Sequence, residues 1–262
     1  MKIIQPTLSI LKKIASTFSD FFGSELVGIY VHGSVAMDCY NDMSSDIDFL
    51  IVVKKSLTLD EKQKLVKVTL ELVKDTTEKL EFSVITSEQL ENFTYPTPYE
   101  FHYSDSWKQN YIAHEIKLEE TKSDPDLAAH FAITKKRGFV LTGDPIFQIF
   151  PDVPLDQYLD SITRDVKWSF DNVMKGPNDG TCKVPTYAVL NFCRVLAFIK
   201  NNLITSKREG GEWGMKILPS IYAPIIKEAL NEYNKYGSSK NVDCKLLKEY
   251  AEYCMEIILI EK

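Results

Sequence analysis

The sequence predicts an α+β fold, with a part that mixes strands and helices followed by a part built from helices alone. Two observations predict it. Short or alternating apolar runs, the mark of strands, occur only before about residue 120, and beyond residue 150 the apolar residues keep a helical period. A third sets the scale: 262 residues suffice for one large domain or two modest ones, each with a core.

The elements follow in order. Pro6 to Phe22 is helix-like, with Leu8, Leu11, Ile14, Ala15, Phe18 and Phe22 on one stripe. Leu26 to Val31 is a short apolar run read as a strand, and Gly33-Ser34 breaks it. Asp38 to Ser45 is a polar loop, and Asp46 to Val53 alternates as a second strand. Thr58 with Glu61 forms a capping box that opens a helix through Leu65, Val68, Leu72 and Val73. Leu80 to Ile85 is a third strand, and Thr86 with Gln89 starts another short helix. The helical part reads as Asp126 to Val140, Leu155 to Met174, Pro185 to Asn201, Lys207 to Leu218, Tyr222 to Tyr236 and Cys244 to Ile260. Pro185 suits a first helical position, and Ser206 with Glu209 is another capping box.

Charge and composition exclude several classes. The net charge of −6 argues against a nucleic-acid partner, whose binding protein needs cations for phosphates, and suits a small cationic substrate. No apolar run approaches the roughly 20 residues that span a bilayer, so no membrane partner is expected. The start of the chain lacks a secretory signal, and the five cysteines are scattered without metal-ligand spacing. A cytoplasmic protein with reduced thiols is expected.

The chemistry gathers around Gly33-Ser34 and, eleven residues later, Asp46-Ile47-Asp48. Side chains alternate along a strand, so Asp46 and Asp48 project from one face, roughly 7 Å apart. Two carboxylates on one face call for a cation, and magnesium takes hard oxygen ligands together with substrate phosphates. Gly33 lets backbone approach a phosphate, and the hydroxyls of Ser34 and Ser45 can donate to one. In Lys79-Leu80-Glu81-Phe82-Ser83-Val84-Ile85, Glu81 falls on the face opposite Leu80, Phe82 and Val84. An acid in such a strand is either a third metal ligand or a general base. Lys207 begins a capped helix, where free amides and a cation together suit an anion. Arg194, mid-helix among Phe192, Val195, Leu196 and Phe198, needs a partner, whether a salt bridge or a phosphate. Trp107 reads equally as core or as a stacking surface for a cation. His32, His102, His114 and His130 show no zinc spacing and read as non-ligands.

Gly33-Ser34 with Asp46-x-Asp48 and a later strand carboxylate resembles the nucleotidyltransferase superfamily shared with the β-type DNA polymerases. Further residues narrow it: Leu80-Glu81-Phe82-Ser83-Val84, Tyr95-Pro96, Glu100-Phe101 with Trp107, Asp124-Pro125-Asp126-Leu127-Ala128, Val189-Leu190 with Arg194, and Ile204-Thr205-Ser206-Lys207 with Glu212-Trp213. In that order they resemble the aminoglycoside adenylyltransferases acting on spectinomycin and streptomycin. The resemblance implies an amino-terminal nucleotidyltransferase domain with a mixed β-sheet and helices, binding ATP and magnesium over residues 1–150. A helical substrate-binding bundle over residues 151–262 would follow. Asp46 and Asp48 would hold magnesium, Gly33, Ser34 and Ser45 the nucleotide phosphates, and Arg194 and Lys207 the triphosphate. Glu81 would be the catalytic base and touch the antibiotic, with Trp107 and Tyr187 beside it. AMP would pass from ATP to an antibiotic hydroxyl, releasing pyrophosphate and conferring resistance.

One departure bears on the substrate. Where the family commonly has Gly-Asp-Glu-Arg-Asn, this chain has Lys183-Val184-Pro185-Thr186-Tyr187. The acid that helps hold streptomycin is missing, so spectinomycin or a related aminocyclitol is expected. Two alternatives share parts of the pattern: a nucleotidyltransferase acting on RNA or a protein, and a non-catalytic nucleotide-binding regulator. The chain is expected to act as a monomer.

Overall fold

The computed structural model describes residues 5–41, 45–74, 76–120, 122–234 and 240–261; residues 42–44 of the expected polar loop lie outside them. The chain divides into two compact units, Met1–Tyr158 and Leu159–Lys262.

The first unit runs α1 (Gln5–Phe22), β1 (Leu26–Val31), α2 (Gly33–Ala36), β2 (Asp46–Val53), α3 (Leu59–Leu72), β3 (Lys79–Thr86), α4 (Ser87–Glu91) and β4 (Thr97–Tyr99). It continues with β5 (Phe101–Ser104), α5 (Lys108–Ile112), β6 (Lys122–Asp124), α6 (Asp126–Arg137), β7 (Phe139–Gly143) and α7 (Ile146–Ile149). The sheet order is β5-β3-β2-β1-β7. Only β2 and β3 are parallel, joined through α3, so the sheet is mixed. One face packs Ile47, Phe49, Ile51, Phe82 and Val84 against Phe18 and Leu65. The other is apolar only from Leu50 onward, where Leu50, Val52 and Ile85 meet Leu127, Phe131 and Phe150. The amino-terminal ends of β2 and β3 therefore keep polar side chains on this second face.

Local signals built several of these elements. Thr58 accepts from the Glu61 amide while the Glu61 carboxylate accepts from the Thr58 amide, and Thr86 with Gln89 does the same. The expected helix to Val140 stops instead at Arg137. The Gly138 amide still reaches Thr134 O, but Phe139–Gly143 then turns to pair with the free edge of β1. Sheet pairing satisfies those backbone groups and outweighs the helical period of the side chains.

The second unit is helical around α9. It comprises α8 (Leu155–Met174, from Leu159 on), β8 (Thr181–Cys182), α9 (Thr186–Asn201), α10 (Lys207–Ile217), α11 (Ala223–Asn234), β9 (Val242–Asp243) and α12 (Cys244–Glu261). Val189, Leu190, Phe192, Cys193 and Leu196 of α9 are wholly enclosed, with Ile225, Ala229, Tyr250, Ala251 and Cys254 around them. The two-residue ladder β8–β9 interrupts the expected all-helical pattern. Pro185 proves to cap α9 rather than begin it, with ψ of 80° outside the helical region. The Ser206–Glu209 box opens α10. A Cβ on Gly210 would lie 2.7 Å from Arg194 Cγ, and one on Gly214 2.6 Å from Cys193 Sγ. Glycine is what lets α10 lie this close to α9.

Candidate active site

The site of the first unit begins where β1 ends. The His32 amide donates to Asp48 O at 2.9 Å and pins the following turn to β2. Gly33 has a φ of +60°, and a Cβ there would stand 1.9 Å from Asp48 Oδ2. The Asp48 carboxylate thus rests against bare backbone. Ser34 Oγ donates to Asp46 O at 3.3 Å, tying the turn to the start of the strand. Ser45 is buried; its Oγ accepts from the Asn41 amide at 3.2 Å, which leaves its own proton to donate.

Register assembles the carboxylates. Asp48 pairs with Glu81 across the parallel β2–β3 ladder, and Glu81 pairs with Ser104 of β5. Partners in neighbouring strands lie about 4.8 Å apart and share a face, so Asp48 and Glu81 stand side by side with Asp46 one pleat away. All three are half-buried. Burial pushes the Glu81 carboxyl up from its ordinary value, and Asp46, Asp124 and Asp126 push it the same way against the opposing pull of His130. The donors are oxygens held in mutual repulsion, which suits a hard divalent cation. Among the described residues no three His, Cys, Asp or Glu side chains are grouped to hold a metal by themselves. Two protein carboxylates plus ligand oxygens match how magnesium is held on nucleotides.

Three histidines read as non-ligands stand close by. His130, one helical turn after Asp126 on α6, packs against His32 with ring centroids 4.8 Å apart and acts electrostatically on Glu81. His102 of β5 bonds Ser83 Oγ through Nδ1 at 2.9 Å and meets the Trp107 ring edge-on at 5.2 Å. Trp107 is 41% exposed, so it is not core.

Burial lowers the His102 pKa from 6.5 to about 4. The unfolded chain therefore takes up the proton first as pH falls. This share of the stability is complete above about pH 6.5 and is lost toward pH 4, at most ~3 kcal/mol. Thermal unfolding at pH 7.5 and 4.5 checks it: the drop in Tm should be smaller in His102→Gln than in the parent. An equal drop in both would refute the assignment.

In the second unit Tyr187, Arg194 and Lys207 come together. The Lys207 ammonium sits 4.4 Å from the centre of the Tyr187 ring. Arg194 Nε donates to Thr205 O at 3.0 Å and Nη1 to Asn191 Oδ1 at 3.4 Å. Both acceptors are neutral, and no carboxylate pairs with Arg194 among the described residues. Its charge remains available to an anion. Val184, at the position of the missing acid, is buried. The acid that reaches Tyr187 is Asp165 of α8, which accepts from its hydroxyl. No local pattern announces a pair 22 residues apart.

Two family models match the chain: a nucleotidyltransferase domain over residues 11–114 and the C-terminal domain of aminoglycoside adenylyltransferase over residues 148–257. A spectinomycin 9-adenylyltransferase of Staphylococcus aureus is 29% identical over 232 residues, 87% of this chain and 82% of that one. An aminoglycoside (3'') (9) adenylyltransferase of Klebsiella pneumoniae is 23% identical over 94% of this chain and 95% of that one. The crystal structure of a spectinomycin adenyltransferase from Enterococcus faecialis with ATP and spectinomycin shares the fold, with a TM-score of 0.76. It is 18% identical and is matched over 96% of this chain and 99% of that one.

Proposed function

The chain belongs to the aminoglycoside adenylyltransferase family and is an enzyme of the nucleotidyltransferase type; from that premise we propose that it transfers AMP from ATP to a hydroxyl of spectinomycin or a related aminocyclitol. The observation that carries the reading is the row of Asp48 and Glu81 in register, with Asp46 beside it and the bare Gly33 turn against Asp48. Such a row can anchor a metal-bound triphosphate and set a base at its edge.

In this reading residues 1–150 bind the nucleotide and residues 151–262 carry the substrate-recognition bundle. Asp46 and Asp48 would hold magnesium, which when bound neutralises phosphate charge and the leaving group. Gly33, Ser34 and Ser45 line the nucleotide phosphates. Glu81 takes the proton from the antibiotic hydroxyl, and its raised proton affinity suits a base. The hydroxyl oxygen attacks the α-phosphorus in line, the bond to the bridging oxygen breaks, and pyrophosphate departs. Arg194 and Lys207 supply cations for the triphosphate. Trp107 and Tyr187 offer aromatic faces to a cationic aminocyclitol. The partners are these small molecules and not nucleic acid or a membrane. Among the described residues no helix is long and apolar enough to cross one. We propose action as a monomer in the cytoplasm, whose reducing conditions fit five unbridged cysteines.

Pyrophosphate release with ATP and magnesium tests the proposal. Release is expected with spectinomycin, and much less with streptomycin or with no acceptor. Release that ignores both drugs would overturn the choice of acceptor, and failure to bind ATP would overturn the enzyme reading itself.

A further inference from the structure

One carboxylate in the helical unit stands behind both candidate phosphate-binding cations. Asp165 is half-buried on α8, and its Oδ2 accepts two hydrogen bonds from α9: one from the Tyr187 hydroxyl and one from Asn191 Nδ2 at 2.7 Å. Each donor leads to a cation. The Tyr187 ring lies under the Lys207 ammonium at 4.4 Å. Asn191 turns its Oδ1 to Arg194 Nη1 at 3.4 Å, while Arg194 Nε is anchored on Thr205 O.

The chemistry of each branch depends on the acid. An asparagine can turn either way; with its amide nitrogen committed to Asp165, only its oxygen can face the guanidinium. A phenol that donates to a carboxylate is fixed in the plane of that bond and gains electron density. Both effects strengthen its hold on a cation over the ring. Lysine on its own is a flexible point charge, and the ring beneath it restricts where that charge lies.

We propose that Asp165 is a positioning residue for ATP: through Tyr187 and Asn191 it sets the places of Lys207 and Arg194. The inference rests on the reading that these two cations bind the triphosphate. It differs from a substrate contact, because the Asp165 oxygen at issue, Oδ2, is committed to protein donors, and from a mere helix clasp, because both its bonds end on groups that hold cations.

Steady-state kinetics with ATP–magnesium and spectinomycin test it, backed by calorimetric binding of a non-hydrolysable ATP analogue. Asp165→Ala is expected to raise the KM for ATP about tenfold, the scale of losing an outer-shell partner, and the KM for spectinomycin by a smaller factor, through Tyr187 alone. Asp165→Asn keeps an oxygen acceptor and should recover most of the loss. Tyr187→Phe keeps the ring but cuts the tether; it should raise the KM for ATP by a smaller factor. It also serves as the test should Asp165→Ala not fold. Lys207→Met and Arg194→Met in the parent separate the two ideas. If neither raises the KM for ATP, the reading of the cations fails. If they do and the Asp165 and Tyr187 variants do not, the tether fails. A rise in the KM for spectinomycin alone would make Asp165 a substrate ligand and overturn the inference too.

Discussion

Glu81→Gln is expected to lower kcat by about 10²–10⁴-fold while ATP binding persists, since the change removes the proton acceptor and keeps the shape. Its effect on stability should run the other way. Burial and the neighbouring acids Asp46, Asp124 and Asp126 make the charged form of Glu81 costly in the folded chain. An amide carries no charge and escapes that cost, so the Tm should hold or rise. Single-turnover AMP transfer and thermal unfolding on the same preparation decide the matter. Turnover close to the parent's would remove Glu81 as the base. A fall in Tm alongside lost turnover would point to damaged packing instead.

Gly33→Ala should be nearly as harmful, for a reason of geometry alone. The new methyl would have to stand 1.9 Å from Asp48 Oδ2, at a backbone φ of +60° that alanine resists. The backbone strain costs about 1 kcal/mol, worth a Tm decrease of a few degrees in a chain of this size. The larger loss lies in the carboxylate, which must move aside. Misplacement of a site group by about 1 Å can cost 10²-fold, so kcat/KM for ATP should fall on the order of 100-fold. Titration with manganese, followed by its electron paramagnetic signal, would show weakened metal binding. Metal binding and turnover equal to the parent's would mean that Asp48 does not need its place against the turn.

Much of this was legible in the sequence wherever the interaction is local. The capping boxes at Thr58 and Ser206 form as read, and the helix start read at Thr86 closes into a box with Gln89, because each joins residues three apart. Asp46 and Asp48 share a face because a strand alternates, and Ile47, Phe49 and Ile51 are buried for the same reason. Pairings across the sheet were not legible. Phe139–Gly143 carries residues that also suit a helix, and only the open edge of β1 makes it a strand. Phe101–Ser104, too short to show a period, is fixed by β3 beside it. The same limit applied to the site. Glu81 was expected near the two aspartates, but its place directly opposite Asp48 follows from the parallel register, which depends on α3 returning the chain in the right direction. The contacts of His130 and Asp165 join side chains from separate elements, and periodicity cannot report them. Arg194 was open between a salt bridge and a phosphate; the structure gives it two neutral partners.

The glycine face of α10 carries a thermodynamic consequence for any ligand that meets these cations. Gly210 and Gly214 bring the helix that begins with Lys207 directly onto the flank of α9 that holds Arg194 and Cys193. Helices in contact at this distance have no intervening rotamers with which to slide. The backbones that carry Arg194 and Lys207 therefore shift as one piece or stay still, and a polyphosphate encounters counter-charges on mounts already spaced. Less freedom is surrendered at the moment of binding, so more of the attraction survives as affinity.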